Sequence, residues 1–186
     1  MKKLLAAGMC FLLLTGCTGK RDELDRAMGL RAKLLGSLGY GFDVQITADY
    51  ADEIHIFAME CQGDNDGNVS FKVTEPETIA GITGTIDAEG GKLTFDDVAL
   101  SFPLLADDQV TPISGPWILV KTLLSGYLTD CAVEEELLHL QIDDSYEEDA
   151  LHLDIWLDQQ NLPVRAEILY DSRRIVTMQI SNFIIR

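Results

Sequence analysis

Hydrophobic positions along this chain change period from helical to strand-like and back, and those changes place the elements. Leu24, Ala27, Met28, Leu35 and Leu38 recur at spacings of three and four, which predicts an amphipathic helix. Asp22 stands where it can cap that helix, and Gly39 and Gly41 stand where they can end it. Gly29 inside it costs about 1 kcal/mol relative to alanine. Beyond Gly41 the period drops to two: Phe42, Val44, Ile46, Ala48 and Tyr50 alternate with Asp43, Gln45, Thr47 and Asp49, a half-buried strand. Ile54 to Cys61 is a second strand, and Val69, Phe71 and Val73 mark a third beyond the turn-rich Gly63-Asp64-Asn65-Asp66-Gly67-Asn68, so the first three strands form a meander. Ile82 to Ile86 and Leu93 to Phe102 predict a further hairpin around Glu89-Gly90-Gly91, with a bulge at Asp96-Asp97 where alternation slips.

The alternation then breaks. Ser114-Gly115-Pro116 has the cap-then-proline signature of a helix start, and from Trp117 to Leu124 only Lys121 and Thr122 are polar. A helix that is apolar on nearly every side has to be buried. The last third reads as two hairpins. A turn centred on Ser145-Tyr146 sets Leu138 against Leu153 and Leu140 against Leu151, and a turn at Asp171-Ser172-Arg173 sets Ile168 against Val176, Ala166 against Met178 and Val164 against Ile180. The fold class is therefore α+β: an N-terminal helix, a curled antiparallel sheet of about nine strands forming an unclosed barrel, and one hydrophobic helix packed in its concave face. No repeat, linker or low-complexity tract divides the chain.

Ahead of this domain, Lys2 and Lys3 precede an apolar run from Leu4 to Leu14, far short of the roughly 20 residues a membrane span needs. The run ends in Leu14-Thr15-Gly16-Cys17, which resembles the bacterial lipobox at all four positions. The expected boundaries are a signal peptide over residues 1–16, a lipidated tether over 17–21 and a single domain over 22–186. Lipid on Cys17 would supply two or three acyl chains, enough for stable attachment at ~0.8 kcal/mol per buried CH2. That places the domain on the outer face of the cytoplasmic membrane, or on an outer membrane where the host has one.

Loss of the two lysines takes the formal net charge from −17 to −19, which excludes nucleic acid as a partner and would hold the domain off anionic headgroups. Cys61 and Cys131 remain after Cys17, either as a disulfide or as two buried thiols. Asp64, Asp66 and Gly67 hint at a calcium loop, but Gln62 stands where its first carboxylate should be, and a hairpin turn explains the stretch. In the register above, His139 and His152 are cross-strand neighbours with Asp154 nearby, either a metal geometry or two solvated histidines of the polar face. His55, between Ile54 and Ile56, reads as an ordinary sheet residue. The acidic runs Glu134-Glu135-Glu136 and Asp143-Asp144 to Glu147-Glu148-Asp149 fall at strand ends and turns, where a solvated edge explains them better than paired catalytic carboxylates. No nucleophile elbow, phosphate loop or Cys-x-x-Cys is present, so no catalytic residue and no cofactor is expected.

The stretch Asn161-Leu162-Pro163-Val164-Arg165-Ala166-Glu167-Ile168, followed by Tyr170-Asp171 and a strand ending Ile180-Ser181-Asn182-Phe183, resembles the C-terminal strands of the LolA/LolB-like lipoprotein-carrier fold, shared by LppX/LprG-type lipoproteins. The resemblance implies an unclosed barrel with helices as its lid and an interior that holds acyl chains. It transfers no individual binding residue, and a lipidated Cys17 departs from soluble carriers that shuttle between membranes. The expected function is that of a non-catalytic, membrane-anchored envelope lipoprotein binding a lipid or other apolar ligand. Trp117, Leu119, Leu123 and Leu124 on the helix, with Val44, Ile46, Leu138, Leu140, Leu153 and Ile155 on the sheet, would line the site. An acidic interaction module that docks another envelope protein without a ligand cavity is the alternative, and an enzyme built on the His139/His152 face is a third. Intact mass tests the anchor: membrane-extracted protein is expected to lack residues 1–16 and carry acyl groups on Cys17, whereas Cys17→Ser is expected to leave an unprocessed chain without lipid.

Overall fold

The computed structural model describes residues 19–186 apart from 52, 65, 107–108, 148–149 and 171–172, so the signal segment and Cys17 lie outside the described residues. Helix α1 (Gly19–Leu35) leads into a meander of β1 (Gly39–Asp49), β2 (Ile54–Asp64), β3 (Val69–Glu75), β4 (Thr83–Asp87), β5 (Gly90–Phe95) and β6 (Val98–Phe102). A separate two-stranded ribbon, β7 (Leu105–Ala106) and β8 (Gln109–Val110), and a 3-10 turn (Pro112–Ser114) lead to helix α2 (Gly115–Ser125). A second meander closes the chain: β9 (Tyr127–Glu134), β10 (Leu137–Asp143), β11 (His152–Leu157), β12 (Pro163–Tyr170) and β13 (Arg173–Ile185).

The two meanders join where β1 pairs antiparallel with β13, giving an eleven-stranded sheet in the order β6-β5-β4-β3-β2-β1-β13-β12-β11-β10-β9. The free edges, β6 and β9, leave the barrel unclosed. Val44, Ile46 and Ala48 of β1 face Ile180, Met178 and Val176 of β13, and all six are buried. Burial stabilises each of the larger side chains by about 1.5–3 kcal/mol, which offsets the entropy of closing a loop of nearly the whole domain. The hydrophobic helix α2 lies in the concave face. A Cβ on Gly115 would come within 3.3 Å of Met178 Sδ and 3.6 Å of Val176, and one on Gly126 within 2.6 Å of Ile142, so α2 crosses from β13 to β10. Among the described residues no helix is long and apolar enough to cross a membrane.

The unclosed α+β sheet with two helices is the architecture the periodicity predicts, with eleven strands rather than nine. One extra strand comes from Asp96-Asp97, which is a two-residue turn with φ of 46° and 64° between β5 and β6, not a bulge. The other is the edge strand β9, whose mixed Thr129-Asp130-Cys131-Ala132 carries no clear alternation. The β10–β11 register also differs: Leu138 faces Leu157, Leu140 faces Ile155 and Ile142 faces Leu153, four residues from the predicted sums. Both registers put leucine and isoleucine on one face, so patterning alone does not choose between them; the observed pairing of Asp143 with His152 centres the connection two residues beyond Ser145-Tyr146. The β12–β13 hairpin has the predicted pairs Ile168–Val176 and Ala166–Met178.

Helix α1 begins earlier than Asp22, at Gly19, and Gly39 and Gly41 belong to β1 rather than to the helix end. Its packed stripe is Ala27, Leu30 and Leu34, flanked by Arg31, which donates to the carbonyls of Leu123 and Gly126, and Arg26, which donates to Asn161. Leu24, Met28, Leu35 and Leu38 are exposed. Two stripes on this helix have helical spacing, and only the neighbours decide which is buried.

Three cross-strand pairs match an aromatic ring with a glycine: Tyr40 with Gly63, Phe71 with Gly84, and Phe102 with Gly91. A Cβ on Gly63 or Gly91 would fall 1.9 Å from the opposing ring, and one on Gly84 2.5 Å from Phe71 and 2.3 Å from the Lys92 carbonyl oxygen. The rings therefore lie flat over their glycines along the sheet. Gly84→Ala is expected to destabilise the fold by about 1–3 kcal/mol, and Gly29→Ala, with nothing within 4 Å of the new methyl, to stabilise it by about 0.5–1 kcal/mol; urea unfolding midpoints check both.

Candidate functional site

Alternation fixes which side chains face the concave side. One row runs through Phe42, Cys61, Phe71, Gly84, Leu93 and Leu100, each opposite the next across β1 to β6. Along it burial falls away: Phe42 and Cys61 are buried, Leu93 is half-buried, and Leu100 is 58% exposed. Phe95 and Val98, a facing pair on the same side, are exposed as well. Helix α2 fills the C-terminal half of the concave face and reaches the other half at the β2–β3 turn, so that β3 is buried while the wing toward β5 and β6 lies open.

An apolar groove of about 490 Å³ lies on that wing. Residues 54–57 of β2 pair with β1 alone, because the β2–β3 ladder begins only at Ala58 and Glu75, and the groove occupies the gap. Phe57, Val73, Ile82 and Leu93 line it from the sheet, Pro76 and Ile79 from the β3–β4 connection, and Pro112 and Ile113 from the 3-10 turn. Among its twelve lining residues only His55 and Thr111 are polar, and none is Asp, Glu, Lys or Arg.

Hydrogen bonds hold the wall contributed by the segment before α2. The Tyr50 hydroxyl donates to the Val110 carbonyl, Thr111 donates through Oγ1 to Pro103 and through its backbone N–H to Leu104, and the Ser114 hydroxyl reaches the carbonyls of Leu104 and Thr111. Ser114 thus precedes α2 without capping it through its side chain, and its hydroxyl ties down the groove wall instead. Burial raises the Tyr50 phenol above its ordinary pKa. Tyr40 and Cys61 are raised too, first by burial and then by nearby Asp64 for Tyr40 and Asp43 for Cys61.

The side chains expected to line a ligand site sit elsewhere. Val44, Ile46, Leu119, Leu123, Leu138, Leu140, Leu153 and Ile155 are buried in the seat between α2 and the sheet and do not border the apolar groove. Trp117 and Leu124 border a cleft of about 590 Å³ beside Tyr40, Asp66 and Glu89, where Trp117 Nε1 donates to the Gly67 carbonyl. The groove residues escaped the sequence reading because an exposed apolar residue on a half-covered sheet has the same alternation as a core residue.

His139 and His152 are not directly opposed: His139 faces Trp156 and His152 faces Asp143. His139 lies between Asp154 at 2.7 Å and Glu134 at 3.1 Å, its ring stacked on Trp156 at 4.6 Å, while His152 Nδ1 meets Asp143 at 2.7 Å. Both nitrogens of His139 face carboxylates, and no group of three or more His, Cys, Asp or Glu is disposed to hold a metal among the described residues. Asp64 is similarly engaged: burial pushes its pKa up, but hydrogen bonds from Asn68 and Asp66 outweigh that and leave it lowered. That is a turn held by its own carboxylate. Glu135 and Glu136 form the two-residue β9–β10 turn, with φ of 49° and 73°. Cys61 and Cys131 are free buried thiols on β2 and β9, with five strands between them in the sheet order.

No protein-family model and no curated protein matches the sequence. Solved structures similar to this chain include a LolA superfamily protein from Nitrosomonas europaea, with 10% identity, TM-score 0.43 and coverage of 91% of this chain and 94% of that one. An outer membrane lipoprotein-sorting protein domain from Vibrio parahaemolyticus has 9% identity, TM-score 0.47 and coverage of 88% and 92%. The lipoprotein LppX of Mycobacterium tuberculosis has 13% identity, TM-score 0.41 and coverage of 87% and 93%. These include the group that the Asn161–Phe183 stretch resembles.

The raised phenols and thiol give the fold an alkaline limit. A folded pKa above the unfolded one means the folded state holds its proton more tightly, so the contribution is complete below pH 10.0 for the tyrosines and is lost as pH rises beyond it. Tyr50→Phe is expected to cost about 1 kcal/mol at neutral pH, through the lost hydrogen bond, and to make the alkaline fall in Tm shallower.

Proposed function

We propose that this chain is a non-catalytic lipoprotein of the bacterial envelope, held by lipid on Cys17 at the outer face of a membrane, that binds an acyl chain or similar apolar ligand on the concave face of its sheet. The observation that carries this reading is the groove on the uncovered wing, whose lining is apolar except for His55 and Thr111. Its wall side chains are partly desolvated already, so an uncharged hydrocarbon gains by displacing water there, while a charged group would lose its hydration with no partner in the lining. Val44, Ile46, Leu119, Leu123, Leu138, Leu140, Leu153 and Ile155 belong to the same concave face, and a ligand reaches them only if α2 lifts from its seat. Trp117 and Leu124 border the neighbouring cleft and need no such movement to touch a ligand.

The sheet's other half supplies rigidity rather than chemistry. In this reading the carboxylate-paired histidines of the convex face and the acidic turns have no catalytic role, and no cofactor takes part. The ligand is tested by native mass spectrometry and lipid extraction of a chain of residues 18–186, without signal segment or anchor, purified without detergent. A stoichiometric apolar molecule is expected, and Leu93→Asp should weaken its retention by about tenfold or more, since each tenfold corresponds to about 1.4 kcal/mol and a carboxylate in the groove lacks a partner. A ligand-free protein that takes up no lipid under these conditions would overturn the ligand reading in favour of an acidic interaction module.

A further inference from the structure

Helix α1 presents a second, unpartnered stripe. Leu24, Met28, Ala32 and Leu35 stand at i, i+4, i+8 and i+11, one face of the helix, and all are exposed, Leu35 to 66%. Leu38, just past the helix end, continues the run at 85% exposure. The packed stripe of Ala27, Leu30 and Leu34 lies on a different side, so none of the described residues covers this one.

Two further observations say what covers it. The first is reach: only Thr18 separates Cys17 from Gly19, the first residue of α1, at most about 7 Å of extended chain. The second is charge. In a chain of net charge −17, α1 carries Lys20, Arg21, Arg26, Arg31 and Lys33 against Asp22, Glu23 and Asp25, and of the cations Arg21, three residues before Leu24, stands on the face of the exposed stripe. Arg26 and Arg31 are engaged inward and Lys20 meets Asp130 at 3.5 Å, whereas Arg21 and Lys33 are exposed.

We propose that the exposed stripe of α1 lies on the surface of the membrane that carries the lipid anchor, with Leu24, Met28 and Leu35 in the headgroup boundary and Arg21 facing anionic headgroups. An amphipathic helix binds weakly at such an interface, but a covalent anchor beside it turns the second contact into an intramolecular one. The net negative charge opposes close approach of the domain as a whole, so the contact is confined to this face of α1, where Arg21 precedes Leu24 by one helical turn. The domain is thereby oriented on the bilayer rather than swinging from it. This inference rests on the reading of Cys17 as the anchor.

Beyond Met1 and Met9 of the signal segment, the chain has Met28 in the stripe and Met59 and Met178 in the core, so methionine-methyl NMR reads the contact with internal controls. A chain of residues 17–186 is coupled through Cys17 to a maleimide lipid in phosphatidylethanolamine and phosphatidylglycerol nanodiscs that also carry a gadolinium-chelate lipid. Cys61 and Cys131 are buried and do not compete. The Met28 methyl is expected to be attenuated at least about twofold more than those of Met59 and Met178, and Leu24→Ser with Leu35→Ser to abolish the difference. Equal attenuation of all three, or a difference that survives both substitutions, overturns the proposal. Because the tether is imposed chemically, the result stands apart from the natural lipidation of Cys17, which intact mass of the membrane-extracted chain decides separately.

Discussion

The pairing of β1 with β13 is the contact on which the rest of the structure depends. Each meander could form from local hairpins, but only their pairing brings Tyr40 and Gly67 of the first against α2, which is seated on β13 to β10 of the second. Joined by the ladder from Tyr40–Ile185 to Ala48–Val176, they make one sheet whose centre is the most thoroughly buried part of the molecule. The stacked rings of Tyr40, Phe42 and Phe183, with centroids 5.2–6.4 Å apart, secure one end of that ladder. Since the ladder joins the two ends of the domain, it carries the largest loop-closure entropy of any contact in the sheet, and its near-complete apolar burial is what offsets that term.

From this centre the two halves diverge. On the C-terminal side α2 fills the concavity and its flanking segments are tied to it, with Arg31 of α1 satisfying the carbonyls at its C-terminal end. On the N-terminal side α2 arrives only at the β2–β3 turn, where Trp117 donates to the Gly67 carbonyl. Phe71 and Phe102 lie flat on Gly84 and Gly91, which keeps that wing shallow, and the short β3–β4 connection leaves part of β2 without a neighbour. The groove is a consequence of a sheet longer than the one helix available to cover it.

Much of this was legible because period and burial agree. The alternation of Phe42 to Tyr50 and the Ile168–Val176 register follow from which residues tolerate water, and the Trp117–Leu124 stretch, apolar but for Lys121 and Thr122, had to be interior. What escaped has a common cause. Asp96-Asp97 and Glu135-Glu136 make two-residue hairpin turns with positive φ at both positions, where Asn-Gly is the usual signal, so each turn was hidden behind residues that read as a bulge or a charge run. The β10–β11 slide was hidden because a shift of four residues returns leucine and isoleucine to the same face.

By itself the sequence determined the class of fold and the buried setting of α2, since each depends on residue type and local spacing alone. Only the tertiary structure decided which of two helical stripes on α1 is buried, which histidines meet which carboxylates, and which part of an apolar face is covered. The physical reason is that hydrophobicity records a side chain's preference, whereas exposure is set by whether another element arrives to meet it. Leu30 and Leu35 are the same residue on the same helix, one buried and one open to solvent, and only their neighbours tell them apart.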